Sequence, residues 1–365
     1  HYMKVSIGSK IVEGPWGGGN LFVKNLSSYL KELGHEVIYD LSESDIDLIL
    51  LTDPRSRRES SSTFNHEDIN IYKKFINPNT AVVQRINECD ERKNTNNINI
   101  FYLNASSCAN KVVFVSKWLE DIYLELGMSS TKSQVIMSGS DKKVFKNYHN
   151  KIKNNKVKVV THHWSSHKNK GFESYEVVDK LLKDPKWENK LEFSYIGNSS
   201  SDYPLSNSIL VEPLSGISLA SKLSENDIYL TGSINEPSGN HHIEAALCGL
   251  PILYLDSGGT PEYCNNYGVA YSGLDELEEK LEYIIQNQEV FKEKLIKYPF
   301  NSENMNKEYL ELFNLLVADK SSNKIQINKI YRRLYLLRFK LSKFTRKFSQ
   351  VNIRTRIKKI LSIWK

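Results

Sequence analysis

The chain has 365 residues, 40% hydrophobic and 25% charged. This is the balance of a globular protein, and the length favours two domains. No apolar run reaches the ~18 residues of a membrane-spanning helix, so no span is predicted. The net charge of +6 hides an asymmetry: residues 321–365 carry 14 Lys and Arg and no Asp or Glu, which leaves the rest of the chain net acidic. A split of this kind marks an anionic partner for the basic end.

Lys4–Gly8 reads as a first strand, and residues 14–20 as a Gly-rich loop. Apolar residues Leu21, Val23, Leu26, Leu30 and Leu33 then give a helix that stops at Gly34. Residues 36–40 and 47–53 are further strands, so the chain opens as a parallel αβ sheet. The glycines at the first strand-to-helix turn let backbone approach a ligand. Residues 54–75 read as polar and irregular. Residues 80–94 read as a strand running into a charged loop with Arg85, Asn87, Glu88, Asp90, Glu91 and Arg92 at the strand end, where open αβ sheets place ligands. Strand-helix patterns continue through residues 109–145, and residues 147–156 form a polar linker.

A second βα series begins at residue 156. Its first strand ends at His162-His163, and Lys170-Gly171 precede a helix. Strands are predicted at 191–198, 208–214 and 227–233. Residues 236–262 then read EPSGNHHIEAALCGLPILYLDSGGTPE: turn, short helix, strand and Gly-rich turn, with Glu236 and Glu244 bracketing seven residues. The first N–H groups of a helix are unpaired and carry partial positive charge, so a diphosphate suits them. The carboxylates suit sugar hydroxyls. Residues 275–298 and 302–317 read as amphipathic helices. The four cysteines (Cys89, Cys108, Cys248, Cys264) lack CxxC spacing and read as reduced, cytosolic thiols.

The Glu-x7-Glu string, with AALCGLP and GGTPE after it, resembles the C-terminal signature of retaining GT-B glycosyltransferases of family 4. The resemblance covers about residues 3–318 and extends to a RINECDERK stretch at 85–93 and to Gly139, Asp141 and Phe145 in the segment that closes the first domain. It implies an α/β fold of two facing Rossmann-like, doubly wound domains. Their expected bounds are 3–146 on the acceptor side and 156–300 for the nucleotide sugar, followed by a crossover helix at 301–319 and a basic amphipathic tail at 320–365. The implied reaction moves a sugar from a nucleotide-diphosphate sugar to a hydroxyl of a glycan or lipid-linked acceptor, with retention. No protein nucleophile, cofactor or metal is required. Glu236 is expected to hold the donor sugar and Glu244 the ribose. Lys170, with the N–H groups of Gly259 and Thr260, is expected to stabilise the leaving diphosphate. Gly17 and Gly18 close the site, and Arg85 and Asn87 face the cleft. Family members carry an Arg as well as the Lys here. That Arg position falls on Trp164 or Ser165, so the second cation is expected from His163, Lys168 or Arg85. Ser138 and Ser140 also depart from the family pattern. The alternatives are a nucleotide-sugar epimerase of the same fold, or a non-catalytic GT-B-like binding or scaffold protein.

Asp45-Ile46-Asp47 is a DxD string, but it precedes a strand and is read as incidental. The pairs His162-His163 and His241-His242 lack zinc-site spacing, and no GxSxG elbow occurs. In the tail, Ile330, Leu334, Leu337, Leu341, Phe344 and Phe348 are spaced 4, 3, 4, 3, 4 among Lys and Arg, and Ile353, Ile357, Ile360, Leu361 and Trp364 continue the pattern. This is an apolar stripe with cationic flanks. It favours peripheral attachment of residues 325–365 to an anionic membrane, on the cytoplasmic face. Packing on the acidic body or on a second subunit is the alternative, and nucleic acid is the least favoured partner.

Overall fold

A computed structural model of the chain describes residues 2–12, 17–55, 61–149, 155–319 and 327–361, with side chains in the last helix described as far as Thr345. The first half contains β1 (Lys4–Ile7), α1 (Gly18–Glu32), β2 (Glu36–Ile38), β3 (Leu48–Leu51), α2 (His66–Phe75), β4 (Ala81–Ile86), α3 (Asp90–Lys93), α4 (Ile98–Ala105), β5 (Lys111–Phe114), α5 (Lys117–Glu125) and β6 (Ser133–Val135). The second contains β7 (Val157–His163), α6 (Phe172–Leu181), β8 (Leu191–Gly197), β9 (Ile209–Val211), α7 (Gly216–Ser224), β10 (Ile228–Thr231), α8 (Asn240–Leu247), β11 (Ile252–Leu255), α9 (Thr260–Cys264), β12 (Gly268–Tyr271) and α10 (Leu277–Leu295). Two further helices follow, α11 (Ser302–Ala318) and α12 (Lys329–Leu361).

The strands form two six-stranded sheets, ordered β2-β1-β3-β4-β5-β6 and β12-β11-β10-β7-β8-β9. Every pairing is parallel. Helices cover both faces, so the central strands are buried on both sides and their sequences run apolar rather than alternating. In β3, Leu48 and Leu50 pack with α1, while Ile49 and Leu51 pack on the opposite face. The second sheet has the Rossmann order. Its winding reverses between β7 and β10, and the cleft beyond the carboxyl ends of such a strand pair is where doubly wound sheets bind ligands.

α11 returns to the first sheet. Its Met305, Tyr309, Leu312 and Phe313 share a core with Phe22, Leu26 and Leu30 of α1. α1 itself begins earlier than its sequence period indicates, at Gly18, and it buries Phe22 while leaving Leu21 and Leu33 exposed. The structure also corrects the irregular reading of 54–75. Asn65 accepts from the Asp68 N–H and Asp68 accepts from the Asn65 N–H, a capping box that starts α2, and Ile69 and Tyr72 are buried.

α12 also packs on the first half, with Tyr335, Leu336 and Phe339 against the core beneath it. Phe75 stacks on Tyr335 at a centroid distance of 4.3 Å, and Lys343 pairs with Asp40 at 3.2 Å. The face that docks is not the apolar stripe. Ile330, Leu334, Leu337, Leu341 and Phe344 point away and are 53–69% exposed. The side chains of Phe348, Ile353, Ile357, Ile360 and Leu361, together with Trp364 and residues 320–326, lie outside the described residues, as do residues 14–16 of the first Gly-rich loop. Among the described residues, no helix is long and apolar enough to cross a membrane.

Candidate active site

The carboxyl ends of β7 and β10 carry the two segments that meet in the cleft. After β7 the chain forms a short 3-10 turn at Lys168–Lys170 and leaves it at Gly171, whose φ is +92°. A Cβ on Gly171 would overlap the Gly232 backbone just after β10. Only glycine combines that left-handed conformation with so close an approach. The contact seats Lys170 beside the segment that carries Glu236. Lys170 Nζ donates to Glu236 Oε2 at 2.9 Å.

Glu236 is held from behind by the second Gly-rich turn. Gly258 has φ +61°, and a Cβ there would stand 2.7 Å from both the N and the O of Glu236. The Gly259 N–H donates to the Glu236 carbonyl at 2.8 Å. α8 starts just beyond, with no side-chain cap on its N-terminus. The first N–H groups of a helix have no partner within it and carry partial positive charge, and this start lies where the two halves meet. Across the cleft, Gly18 lies so close to the Asn240 side chain that a Cβ would collide with it. Asn20 fixes the far side of that loop through two 2.9 Å hydrogen bonds with the Val12 backbone.

Burial alone would raise the Glu236 carboxyl pKa. The Lys170 ammonium and the Arg92 guanidinium outweigh that and hold it well below the usual carboxylate range. Glu236 is therefore ionised throughout the physiological range. The neighbouring histidines behave in the opposite way. Burial pushes His163 and His241 well below the usual imidazole value, helped by the nearby cations, and it lowers His242 to about 4 against the opposing pull of Glu236. All three are neutral near pH 7.

Contacts between the two halves ring this centre. Arg92 of α3 reaches Glu236 Oε1 at 3.3 Å. The Glu262 carboxylate accepts from the N–H groups of Lys117 (2.6 Å) and Trp118 (2.9 Å), capping α5 from the opposite half. Tyr263 donates to the Val115 carbonyl and accepts from the Ser138 N–H.

No protein-family model matches the sequence, and neither does any curated protein. Solved structures do. A sucrose-phosphate synthase from Thermosynechococcus elongatus aligns with a TM-score of 0.66 and 15% identity over 87% of this chain and 99% of its own. A glycosyltransferase from Rickettsia africae gives 0.63 and 17%, over 87% and 99%. HepE of Anabaena, solved in complex with UDP-glucose, gives 0.61 and 14%, over 86% and 100%. The fold is GT-B.

On this GT-B frame the expected residues divide into three groups. Glu236, Lys170, Gly18 and the α8 start converge on one cleft, with Gly17 at the N-cap of α1. Glu244 lies one helical turn further on, and its Oε2 is 2.8 Å from His162 Nε2. Thr260 opens α9 with a buried hydroxyl that has no hydrogen-bond partner among the described residues.

Three expectations are corrected. The Gly259 N–H is engaged by Glu236 and does not point at a ligand. His163 is neutral and hydrogen-bonds the Tyr175 hydroxyl through Nε2, so it adds no cation. Arg85 is buried rather than open to solvent in the cleft, its guanidinium 4.0 Å above the Phe22 ring. Asn87, at the end of β4, is half-buried. Glu262 and Arg92 carry no local pattern that marks them in the sequence. Arg92 is one member of the charge cluster that follows β4, and its spacing does not distinguish it from its neighbours.

Proposed function

We propose that this protein is a retaining glycosyltransferase that moves a sugar from a nucleotide-diphosphate sugar to a hydroxyl of a glycan or lipid-linked acceptor, in the assembly of an envelope or surface polysaccharide. The reading rests chiefly on the Glu236–Lys170 pair beside the uncapped start of α8, at the reversal point of a Rossmann-order sheet. Anabaena HepE, with which the chain shares its fold, has been solved with UDP and with UDP-glucose.

In the proposed reaction the diphosphate lies against the α8 N-terminus and Lys170, while the Glu236 carboxylate accepts hydrogen bonds from the sugar hydroxyls. Glu244, fixed by His162, faces the ribose. As the anomeric C–O bond breaks, negative charge gathers on the departing diphosphate, where Lys170 and the helix N–H groups are already oriented. The acceptor oxygen bonds the anomeric carbon on the face that the diphosphate leaves, and its proton passes to that diphosphate. These charges are supplied by the chain itself, so the reaction is proposed to proceed without a divalent metal.

A thermal-shift series with UDP, GDP, ADP and CMP, with and without EDTA, tests this. A ligand present at 100 times its Kd stabilises the fold by about 2.7 kcal/mol. One diphosphate is expected to raise Tm, equally with and without EDTA. No shift with any of them removes the donor reading and leaves a scaffold role.

We assign the outward stripe of α12 to an anionic membrane, at its cytoplasmic face. The docked side of the helix is satisfied, whereas five large apolar side chains remain exposed. Helical spacing sets Arg333 and Arg338 on either side of them. Such a face lies in an interface with its apolar side chains inserted and its cations on lipid headgroups. The protein is expected to sediment with phosphatidylcholine vesicles that contain phosphatidylglycerol, and to sediment much less with phosphatidylcholine alone. Burying a leucine is worth ~1.5–3 kcal/mol, so Leu334→Glu combined with Leu341→Glu is expected to weaken vesicle binding by at least ~100-fold. Unchanged sedimentation, or a dimer mass that this pair of substitutions halves, overturns the assignment.

A further inference from the structure

The resemblance described above implies two cations at the donor diphosphate, and the segment where the second is expected does not provide it. Trp164 and Ser165 are exposed, and so is Lys168. Around Glu236, however, the structure gathers two cations from opposite halves of the molecule. Lys170 approaches one carboxylate oxygen at 2.9 Å and Arg92 approaches the other at 3.3 Å.

Arg92 is held in place at the backbone. The Asp90 carboxylate accepts from the N–H groups of Ile98 (2.9 Å) and Asn99 (3.0 Å), which fixes α3 on the first half. The neighbours of both site residues on the second half then grip α3. Asn169, next to Lys170, donates through its side chain to the Arg92 carbonyl. Asn235, next to Glu236, donates to the Glu91 carbonyl at 3.0 Å. Its second carboxylate neighbour, Glu88, is 3.6 Å from Arg92 and already has Lys93 at 2.7 Å. Glu236 likewise has Lys170 at 2.9 Å, so the guanidinium can turn away from either carboxylate without leaving it unpaired.

We infer that Arg92 is the second cation of the donor-diphosphate site, delivered across the cleft from the first half, and that its pairing with Glu236 is exchanged for the diphosphate when donor binds. This rests on the donor reading given above. The planar guanidinium presents two parallel N–H groups to two phosphate oxygens, a match that an ammonium lacks. Because the cation comes from the opposite half, the charge that stabilises the leaving group is complete only while α3 sits against Asn169 and Asn235. Transfer chemistry is thereby tied to the closed arrangement.

The test compares diphosphate with monophosphate binding by titration calorimetry, using UDP and UMP, GDP and GMP, and ADP and AMP, on wild type, Arg92→Ala and Arg92→Lys. A hydrogen bond to a charged group is worth ~1.5–3 kcal/mol, so Arg92→Ala is expected to weaken the preferred diphosphate by ~10–150-fold and to leave the matching monophosphate unchanged. Arg92→Lys is expected to recover part of that loss. Equal weakening of both nucleotides shows a merely structural role and overturns the inference, as does an Arg92→Ala variant that keeps the wild-type preference. A wild type that prefers no diphosphate over its monophosphate removes the donor reading itself, which is a separate failure.

Discussion

Glu236→Gln is expected to lower sugar transfer by ~10–150-fold while leaving nucleoside-diphosphate binding intact. The amide is nearly isosteric with the carboxylate, so the turn built by Gly258 and Gly259 around the Glu236 backbone keeps its shape. What changes is charge. In the proposed reaction the carboxylate accepts hydrogen bonds from sugar hydroxyls at ~1.5–3 kcal/mol each, and a neutral amide gives about half of that. Loss of two such contacts in the transition state accounts for the fall in kcat. Lys170 and Arg92, no longer paired with Glu236, become better partners for a diphosphate, so the Kd for the free nucleotide is expected to stay level or improve. Steady-state kinetics beside calorimetry read the two effects separately. Normal turnover in this variant removes Glu236 from the site.

Gly171→Ala is expected to be among the most destabilising single-methyl changes in the chain. The left-handed conformation costs an L-residue ~1–2 kcal/mol, and overpacking against rigid backbone adds ~1–3 kcal/mol. At Gly171 both apply, because the new methyl would meet the Gly232 backbone. Gly127→Ala supplies the comparison. Its φ is +103° and no described residue lies within 4 Å of the added carbon, so strain is its whole cost. Unfolding free energies from urea titrations are expected to differ by ~1–3 kcal/mol between the two variants, with the lower midpoint for Gly171→Ala. Nucleotide affinity is expected to fall with Gly171→Ala only, since Lys170 moves with the turn. Equal midpoints would mean that the β7 and β10 loops are not locked together as described.

The fold was largely legible because its signals are local. Apolar runs bounded by turns marked most of the parallel strands, and i, i+4 spacing marked the helices. The sequence reading passed over β12, which has four residues between two helices and lacks a pattern of its own. It also passed over α2, although Asn65 and Asp68 spell out a capping box. In the tail, two apolar sets alternate around one helix. The stripe stood out by its regularity, but Tyr335 and Phe339, four residues apart on the opposite side, are the ones that dock.

The site was legible where it is built from one continuous segment. The elements around Glu236, Glu244 and the Gly258-Gly259 turn follow one another within 27 residues, and local pattern places all of them. The rest comes from pairs far apart in the chain. Arg92 and Glu236 are 144 residues apart, and Glu262 caps a helix 145 residues before it. No periodicity encodes such a meeting. It follows from how two doubly wound sheets face each other, which is known only once both are built.

The return of the chain to its starting half has a topological consequence. The last loop of the first half and the segment leaving the second lie side by side, where the Ser302 N–H donates to the Ser140 carbonyl at 2.8 Å and Gly139 abuts the Asn301 backbone. The entire stretch from β7 to α10 is thus an insert whose entry and exit are neighbours, and α11 and α12 belong to the unit it interrupts. A cassette with adjoining ends is exchangeable in one piece. A different second half can be spliced in at Ser140 and Asn301 as one piece, provided that it remakes the contacts that Glu236, Glu262 and Tyr263 make with the first half.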